Sequence, residues 1–273
     1  LLVNAYNDPA HMSHSRNGMY APLGILSLAT YAKKALGDRI SKIQVIDGDV
    51  ESVDLADLEG FDVVGFYATT FNYLRTCEYA AHAKSKGATI VLGGPHGSIL
   101  SRQIIKNKEY FDFVVREEGE IPFVNILQYL MGDDIDIKAV PNLTWRLSNG
   151  ETGFNSKMMI HQLAEMPIIS REYVPVELYA KNYREVYEDE RGLIQGSLYS
   201  SKGCKWRDVT DGGCVFCARL EDGMRFRPIP QIWEEITYLH REFNVNTIWD
   251  IADDNLNSPK WFREFVDAKP KGL

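Results

Sequence analysis

The sequence predicts an α/β protein built from two successive strand–helix series. Three observations predict it. Short apolar runs alternate with amphipathic stretches through residues 1–135, a β-hairpin signature and a connector interrupt this rhythm after Pro141, and a second strand–helix series begins near Gly192. Alternation of this kind folds into right-handed βαβ units, which place helices on both faces of a parallel sheet.

The first series contains five predicted strands with helices between them. The strands are LLVNAY (1–6), KIQVID (42–47), DVVGFYA (62–68), TIVLGG (89–94) and FDFVVR (111–116). Helical spacing predicts helices over 23–36, 73–86 and 120–132. Residues 1–140 therefore form a predicted Rossmann-like, doubly wound parallel sheet, in which ligands bind at the carboxyl ends of the strands.

The middle of the chain, residues 141–191, is predicted as a hairpin followed by a connector. Alternating polar and apolar residues around Ser-Asn-Gly (148–150) indicate the hairpin. In residues 192–273, GLIQGSLYSS (192–201) predicts a strand, IPQIWEEITYLHREF (229–243) a helix, NTIWDIADDN (246–255) a strand and SPKWFREFVDA (258–268) a helix. This second series stops after two strands, as expected for the first part of a (β/α) barrel.

Bulk composition narrows the functional classes. The net charge of −8 does not favour a nucleic-acid partner. No apolar run is long enough for a transmembrane helix, and the first residues lack the pattern of a signal peptide. Four cysteines in 273 residues, three of them close together, do not form a disulfide framework, so a reducing cytoplasm is the expected location.

Three of the four cysteines, Cys204, Cys214 and Cys217, lie in one polar loop. Four interpretations are open: incidental structural thiols, a redox disulfide between Cys214 and Cys217, structural zinc, and an iron–sulfur cluster. Zinc usually takes four protein ligands. A four-iron cluster usually takes four thiolates. Three thiolates leave one iron open to bind another molecule, which explains a count of three and favours the cluster. Cys77 is expected to be a buried helix residue.

The loop resembles that of the radical S-adenosylmethionine enzymes, with a strand leading into Cys…Cys-x2-Cys and an aromatic residue, Phe216, before the last cysteine. The commonest family pattern has three residues between the first two cysteines, and here there are nine. The resemblance implies that the three cysteines bind a 4Fe–4S cluster, that its open iron binds S-adenosylmethionine, and that Phe216 lies near the adenine. It also implies reductive cleavage of S-adenosylmethionine to start radical chemistry, with an external electron donor such as flavodoxin or ferredoxin.

Acidic and basic residues after the cysteines extend this set. Asp250, Asp253 and Asp254 follow the second strand of the second series. They are candidates for binding the ribose or the methionine amino group, and a solvated acidic turn is the open alternative. Arg225 and Arg227 are expected mainly at the surface, with the methionine carboxylate as their alternative contact.

The first series resembles the cobalamin (B12)-binding-type domain that precedes the barrel in one subclass of this family. The resemblance rests on VIDGD, DVVGFYATTFNY, IVLGGPHGS and FDFVVREEGEIPF. The Asp-x-His-x-x-Gly motif of other cobalamin proteins is absent, because Asp8 and His11 are three residues apart. Cobalamin binding and retention of the fold without the cofactor therefore both stay open.

If cobalamin binds, the resemblance implies methyl transfer as the usual reaction. The candidate contacts follow the third, fourth and fifth strands: Thr69, Thr70, Gly93, Gly94, His96, Ser98 and Glu118. The alternative for His96 is a role at the start of the following helix.

The substrate, a small molecule or a peptide, does not follow from the sequence. Since a barrel of this family needs more strands than residues 192–273 supply, the chain is expected to be part of a longer protein. The competing function is a non-catalytic Rossmann-like binding module with a zinc-stabilised cysteine loop.

Overall fold

A computed structural model describes residues 1–6, 18–188, 191–209, 213–217, 223–252 and 258–273. Asp8, His11, Asp253 and Asp254 lie outside these residues. The chain divides into two compact units. Unit 1 comprises Leu1–Gly18, Gly24–Met158 and Ser170–Val174; unit 2 comprises Met19–Leu23, Met159–Ile169 and Pro175–Leu273.

Unit 1 contains the predicted parallel sheet. Its strands are β1 (Leu2–Asn4), β2 (Val45–Asp47), β3 (Val63–Tyr67), β4 (Thr89–Gly93), β5 (Phe113–Val115), β6 (Leu143–Arg146) and β7 (Thr152–Phe154). Within the described residues they form one sheet in the order β2-β1-β3-β4-β5-β6-β7. Strands β1 to β5 pair in parallel, and β6 and β7 continue the sheet antiparallel. The predicted fold class is therefore confirmed.

Helices cover both faces of this sheet. They are α1 (Leu23–Leu36), α2 (Tyr73–Ser85), α3 (Gly94–Asn107) and α4 (Glu120–Leu130). The chain moves from β1 to β2 in one direction and from β3 to β4 and β5 in the other, so right-handed crossovers put α1 opposite α2 and α3. Tyr79 of α2 and Ile104 of α3 belong to one buried core with strand residues such as Ile90. Full burial of each large aliphatic side chain contributes about 1.5–3 kcal/mol.

The hairpin predicted from Ser-Asn-Gly is present and joins the sheet through β6. Gly150 has a φ of +84°, and its N–H donates to the carbonyl of Leu147 at 2.9 Å, which closes the turn. Behind the turn, Trp145 Nε1 donates to Asn155 Oδ1 at 2.8 Å in the buried interior. The hairpin thus extends the first sheet, because β6 pairs with β5.

Within the described residues, unit 2 contains two short strand pairs and four α-helices. They are β8 (Gln195–Leu198), β9 (Ser201–Lys202), β10 (Arg225–Phe226) and β11 (Thr247–Asp250), with α5 (Val176–Tyr187), α6 (Lys205–Val209), α7 (Ile229–Phe243) and α8 (Pro259–Asp267). β8 pairs in parallel with β11, and β9 pairs antiparallel with β10. Helix α7 has the predicted bounds, and stacking of Trp233 on Phe265, with ring centroids 4.6 Å apart, joins it to α8.

Helix α5 lies in the segment for which the sequence predicts only a connector. Its buried residues, Val176, Tyr179 and Ala180, follow the i, i+3, i+4 pattern of a helix face. The pattern covers little more than one turn and is surrounded by charged residues, which hides it in the sequence. None of the described helices combines the length and the hydrophobicity that crossing a membrane requires.

Candidate functional site

The strand order of unit 1 reverses between β1 and β3, and the crevice at their carboxyl ends is where doubly wound sheets bind ligands. Asn72, which is 1% exposed, ties this edge together. Its Nδ2 donates to Asn4 Oδ1 at 3.2 Å and to the carbonyl of Ala5 at 3.1 Å, and its Oδ1 accepts the N–H of Thr69 at 2.8 Å. The sequence pattern does not single out Asn4 and Asn72; the available signal is an asparagine at the end of β1 and another directly before α2.

The same network reaches β2. Asn4 Nδ2 donates to Asp47 Oδ1 at 2.7 Å and to Asp49 Oδ2 at 3.3 Å. Asp47 is the last residue of β2 and is 1% exposed. The carboxyl ends of β1, β2 and β3 are thus joined by side-chain amides and carboxylates, which gives the crevice a rigid polar floor.

Gly93 and Gly94 lie at the amino end of α3, which begins directly after β4. Gly94 has a φ of +88°, and a Cβ there would lie 2.6 Å from the carbonyl oxygen of Ala68 and 2.9 Å from its nitrogen. Glycine is therefore required for the helix to start this close to β3. In this first turn Pro95 has no N–H, and the N–H of His96 donates to the carbonyl of Ala68 at 3.1 Å, which holds the start of α3 against the end of β3.

His96 connects the loops that follow β3 and β4. Its Nδ1 lies 3.3 Å from Thr70 Oγ1, and its ring stacks on Tyr73 with centroids 3.9 Å apart. Burial lowers the pKa of His96 below its ordinary value, so the neutral imidazole is favoured near pH 7. The alternative role of His96, at the start of the helix that follows β4, is also compatible with the structure, because His96 lies in the first turn of α3.

Ser98 contacts the loop that follows β5, and Glu118 lies in that loop. Ser98 Oγ donates to the carbonyl of Gly94 at 3.0 Å and accepts the N–H of Glu117 at 2.8 Å, so it braces α3 against the loop after β5. Glu118 is 3% exposed, and its carbonyl accepts a hydrogen bond from Asn142. Hydrogen bonds or chain adjacency thus link a group of predicted residues at the edge, whereas Glu118 follows β5 and contacts Asn142; the group is Thr69, Thr70, Gly93, Gly94, His96 and Ser98.

The cysteine loop begins directly after β9 in unit 2. Cys214 is exposed, Cys204 and Cys217 are half-buried, and none of the three is in a disulfide. The N–H of Cys217 donates to the carbonyl of Cys214 at 2.9 Å, so these two residues bracket one tight turn. Phe216 lies in that turn and is 88% exposed.

The donor set of this loop is three thiols. Structural zinc usually takes four protein ligands. A four-iron cluster binds each thiolate to a different iron, and three thiolates would leave one iron without a protein ligand. Three thiols in one polar loop therefore fit the cluster chemically. Among the residues that the structure describes, no three His, Cys, Asp or Glu side chains converge closely enough to hold one metal ion, and the role of the three cysteines as ligands stays a prediction.

Asp250 holds the chain segment that leads to Cys204. Its Oδ1 accepts the N–H groups of Ser200 and Ala252, each at 3.0 Å, and its Oδ2 accepts the Ser200 hydroxyl at 2.5 Å. The carboxylate thus connects the end of β11 to the turn between β8 and β9. Its predicted contact with S-adenosylmethionine stays a prediction, and Asp253 and Asp254 lie outside the described residues.

Arg227 corrects the expectation of a surface role. It is 1% exposed, and its Nη1 lies 2.6 Å from Oε2 of the fully buried Glu235. The same Nη1 donates to the carbonyl of Tyr199 at 2.9 Å. Arg225 Nη1 donates to the carbonyl of Ile160. Cys77 lies on α2, half-buried against the core of unit 1.

Comparison with known proteins gives matches for both units. Residues 12–127 match the family described as the B12 binding domain. The uncharacterized methyltransferase PH0819 of Pyrococcus horikoshii is 26% identical over 265 residues, which are 92% of this chain and 53% of that protein. The chain thus spans about half the length of this curated relative.

Two solved structures share the fold. The cobalamin-dependent S-adenosylmethionine radical enzyme OxsB, with aqua-cobalamin and S-adenosylmethionine bound, matches with a TM-score of 0.68 and 18% identity over 93% of this chain and 33% of its own. The radical S-adenosylmethionine methyltransferase TsrM from Kitasatospora setae, with cobalamin and a 4Fe–4S cluster bound, matches with a TM-score of 0.69 and 16% identity over 97% of this chain and 49% of its own. The resemblance expected from the sequence is therefore confirmed: residues 12–127 match the B12-binding domain, and the chain shares the fold of cobalamin-dependent radical S-adenosylmethionine enzymes.

Proposed function

We propose that this chain carries the cobalamin-binding and cluster-binding parts of a radical S-adenosylmethionine methyltransferase. The observation that carries the proposal is the pairing of a B12-binding match at residues 12–127 with a three-cysteine loop after β9. When bound, the cluster supplies the electron that cleaves S-adenosylmethionine, and cobalamin supplies a carrier for the methyl group. The protein's own residues bind and orient these groups.

In unit 1, the proposed cobalamin site is the carboxyl edge around Asn72, Gly94 and His96. The amide network keeps the edge rigid, and Gly94 lets the first turn of α3 approach the crevice. Thr70 and His96 provide polar contacts, with the imidazole neutral because burial lowers its pKa. Phe71 and Ile99, which are 54% and 56% exposed, provide nearby apolar surface for a large macrocycle.

In unit 2, the proposed role of Cys204, Cys214 and Cys217 is to hold three irons of the cluster. Three thiolates would leave one iron without a protein ligand, where the amino acid portion of S-adenosylmethionine would bind. Phe216 is exposed on the same turn and is available to stack on the adenine. Asp250 keeps the approach to Cys204 fixed through Ser200.

The test is elemental analysis of anaerobically purified chain after cluster reconstitution and incubation with cobalamin. We expect about four irons per chain, as in a cubane cluster, together with retained cobalt. Cys214→Ala should abolish iron binding and leave cobalt unchanged. Cys77→Ala, which removes the cysteine outside the loop, is the matched control and should keep both metals.

Two outcomes would contradict the proposal. One zinc and no iron would make the three thiols a structural clamp and favour the non-catalytic module. Iron without cobalt would limit unit 1 to a scaffold, and methyl transfer through cobalamin would then be wrong. With both cofactors present, production of 5′-deoxyadenosine and methionine from S-adenosylmethionine under reducing conditions tests the cleavage step.

A further inference from the structure

The cysteine loop is closed at its base by a short antiparallel pair. Lys202 of β9 pairs with Arg225 of β10, and Ser201 pairs with Phe226. Gly203 follows β9 and Gly223 precedes β10 by two residues, so each glycine is at one end of the loop that carries the cysteines. Cys204 comes directly after Gly203.

The two glycines are in close backbone contact. A Cβ placed on Gly203 would overlap the carbonyl oxygen of Gly223 and lie 2.9 Å from its carbonyl carbon. Gly203 also has a φ of +80°, in the left-handed region. Only glycine meets both conditions, because the neighbouring atoms belong to the backbone and cannot rotate away.

This contact fixes the backbone directly before Cys204. Cys214 and Cys217 are fixed to each other by their own turn, whereas nine residues separate Cys204 from Cys214 along the chain. With a spacing this long, the local chain does not set the distance between Cys204 and the pair. The contact between Gly203 and Gly223 holds the two ends of the loop against each other, and Cys204 follows the first of these glycines directly.

Resting on the proposed function, we propose that Gly203 is a positioning residue for the iron–sulfur cluster. Its missing side chain lets β9 and β10 close, and this closure presents Cys204 to the same cluster as Cys214 and Cys217. Replacing it with alanine separates the two arms of the loop and displaces Cys204, while unit 1 is unaffected.

Three alanine variants isolate this effect. Gly203→Ala introduces both the positive φ and the overlap with Gly223. Gly223→Ala introduces a positive φ of +72° in the same loop, but its Cβ meets nothing within 4 Å. Gly192→Ala does the same outside the loop, with a φ of +71° and open space. All three carry the conformational penalty of a left-handed alanine, and only the first adds the overlap.

The first readout is iron per chain and the electron paramagnetic resonance spectrum of the reduced protein. We expect Gly203→Ala to keep less than half of the wild-type iron, Gly192→Ala to keep all of it and Gly223→Ala to lie near wild type. Cobalt content and far-ultraviolet circular dichroism report folding. Equal iron in all three variants, or equal loss in all three, would overturn the inference.

A second readout needs no cluster and separates this inference from the proposed function. In the Cys214→Ala background, dibromobimane becomes fluorescent only when it bridges two thiols, here Cys204 and Cys217. We expect the bridge in the background protein and at least a fivefold slower reaction with Gly203→Ala added. If the wild type takes up no iron, the proposed function fails, and the bridging rate alone still decides whether Gly203 holds Cys204 near Cys217. An unchanged rate refutes that role. If Gly203→Ala does not fold, Gly223→Pro takes its place, because proline fixes φ at about −65° where Gly223 has +72° and so opens the same contact from the other arm. Gly223→Pro must then slow bridging, or the inference is wrong.

Discussion

Ser200 and Ser201 are adjacent buried serines whose hydroxyl groups have opposite situations. The Ser200 hydroxyl donates to Asp250 Oδ2 at 2.5 Å. The Ser201 hydroxyl is buried and has no hydrogen-bond partner among the described residues. The two residues are 1% and 2% exposed, so the same Ser→Ala change removes one oxygen atom from nearly equal environments.

The two substitutions should therefore change the free energy of unfolding by different amounts. A hydrogen bond to a charged group contributes about 1.5–3 kcal/mol, so Ser200→Ala should lower the free energy of unfolding by about 2 kcal/mol. Ser201→Ala breaks no such bond and removes a buried unsatisfied group, so it should leave stability unchanged or raise it by up to about 1 kcal/mol. For a unit of this size, a difference of about 2 kcal/mol corresponds to a shift of the midpoint on the order of 10 °C.

Tryptophan fluorescence during thermal unfolding is a suitable assay. The chain has five tryptophans, and Trp206, Trp233, Trp249 and Trp261 lie in unit 2. The signal therefore reports mainly on the unit that contains the substitutions. Equal midpoints for Ser200→Ala and Ser201→Ala would refute the view that Asp250 fixes the approach to the cysteine loop through Ser200.

The other predictions concern the edge of unit 1 and the interior of unit 2. Gly94→Ala should cost at least about 2 kcal/mol and abolish cobalt retention, since a left-handed alanine alone costs about 1–2 kcal/mol; Gly87→Ala, at a φ of +95° in open space, is the control, and cobalt analysis with thermal melts compares them. Because burial lowers the pKa of His96, its contribution to stability is complete above the ordinary pKa of 6.5 and is lost as the pH falls below it. Urea unfolding between pH 5 and 8 should show this slope in the wild type and a smaller one in His96→Gln; identical slopes would contradict it. Arg227→Met should destabilise unit 2 by about 3–5 kcal/mol, because it leaves the charge of Glu235 buried and unpaired, and adding Glu235→Leu should restore most of that loss in denaturant unfolding.

The sequence predicted the features that depend on local periodicity. Five strands, the hairpin and helix α7 follow from apolar spacing and from turn residues such as Gly150. The three cysteines were found because thiols are rare in this chain. These signals lie within short windows of sequence, which is why they could be seen without the fold.

The features that the sequence did not predict depend on pairs far apart in the chain. Asn72 is 68 residues from Asn4, and their hydrogen bond exists only because β1 and β3 are adjacent. Arg227 was expected at the surface because arginine is usually exposed; its burial depends on a carbonyl 28 residues earlier. The contact of Gly203 with Gly223 depends on the pairing of β9 with β10. These strands have two residues each, which is too short for a recognisable pattern in the sequence.

The buried ion pair of Arg227 and Glu235 is better explained by the backbone that it holds in place near the cysteine loop than by its contribution to stability. Well-packed apolar residues often replace such a pair without loss of stability, so stability alone does not account for it. Apolar residues could not, however, donate a hydrogen bond to the carbonyl of Tyr199, as Arg227 does at 2.9 Å. Tyr199 precedes Ser200, which Asp250 holds from the other side. The segment before Cys204 is thus fixed by a cation from the chain after the loop and by an anion from β11. If this is the purpose of the pair, the Arg227→Met, Glu235→Leu double variant should recover its stability and still bind less iron than the wild type.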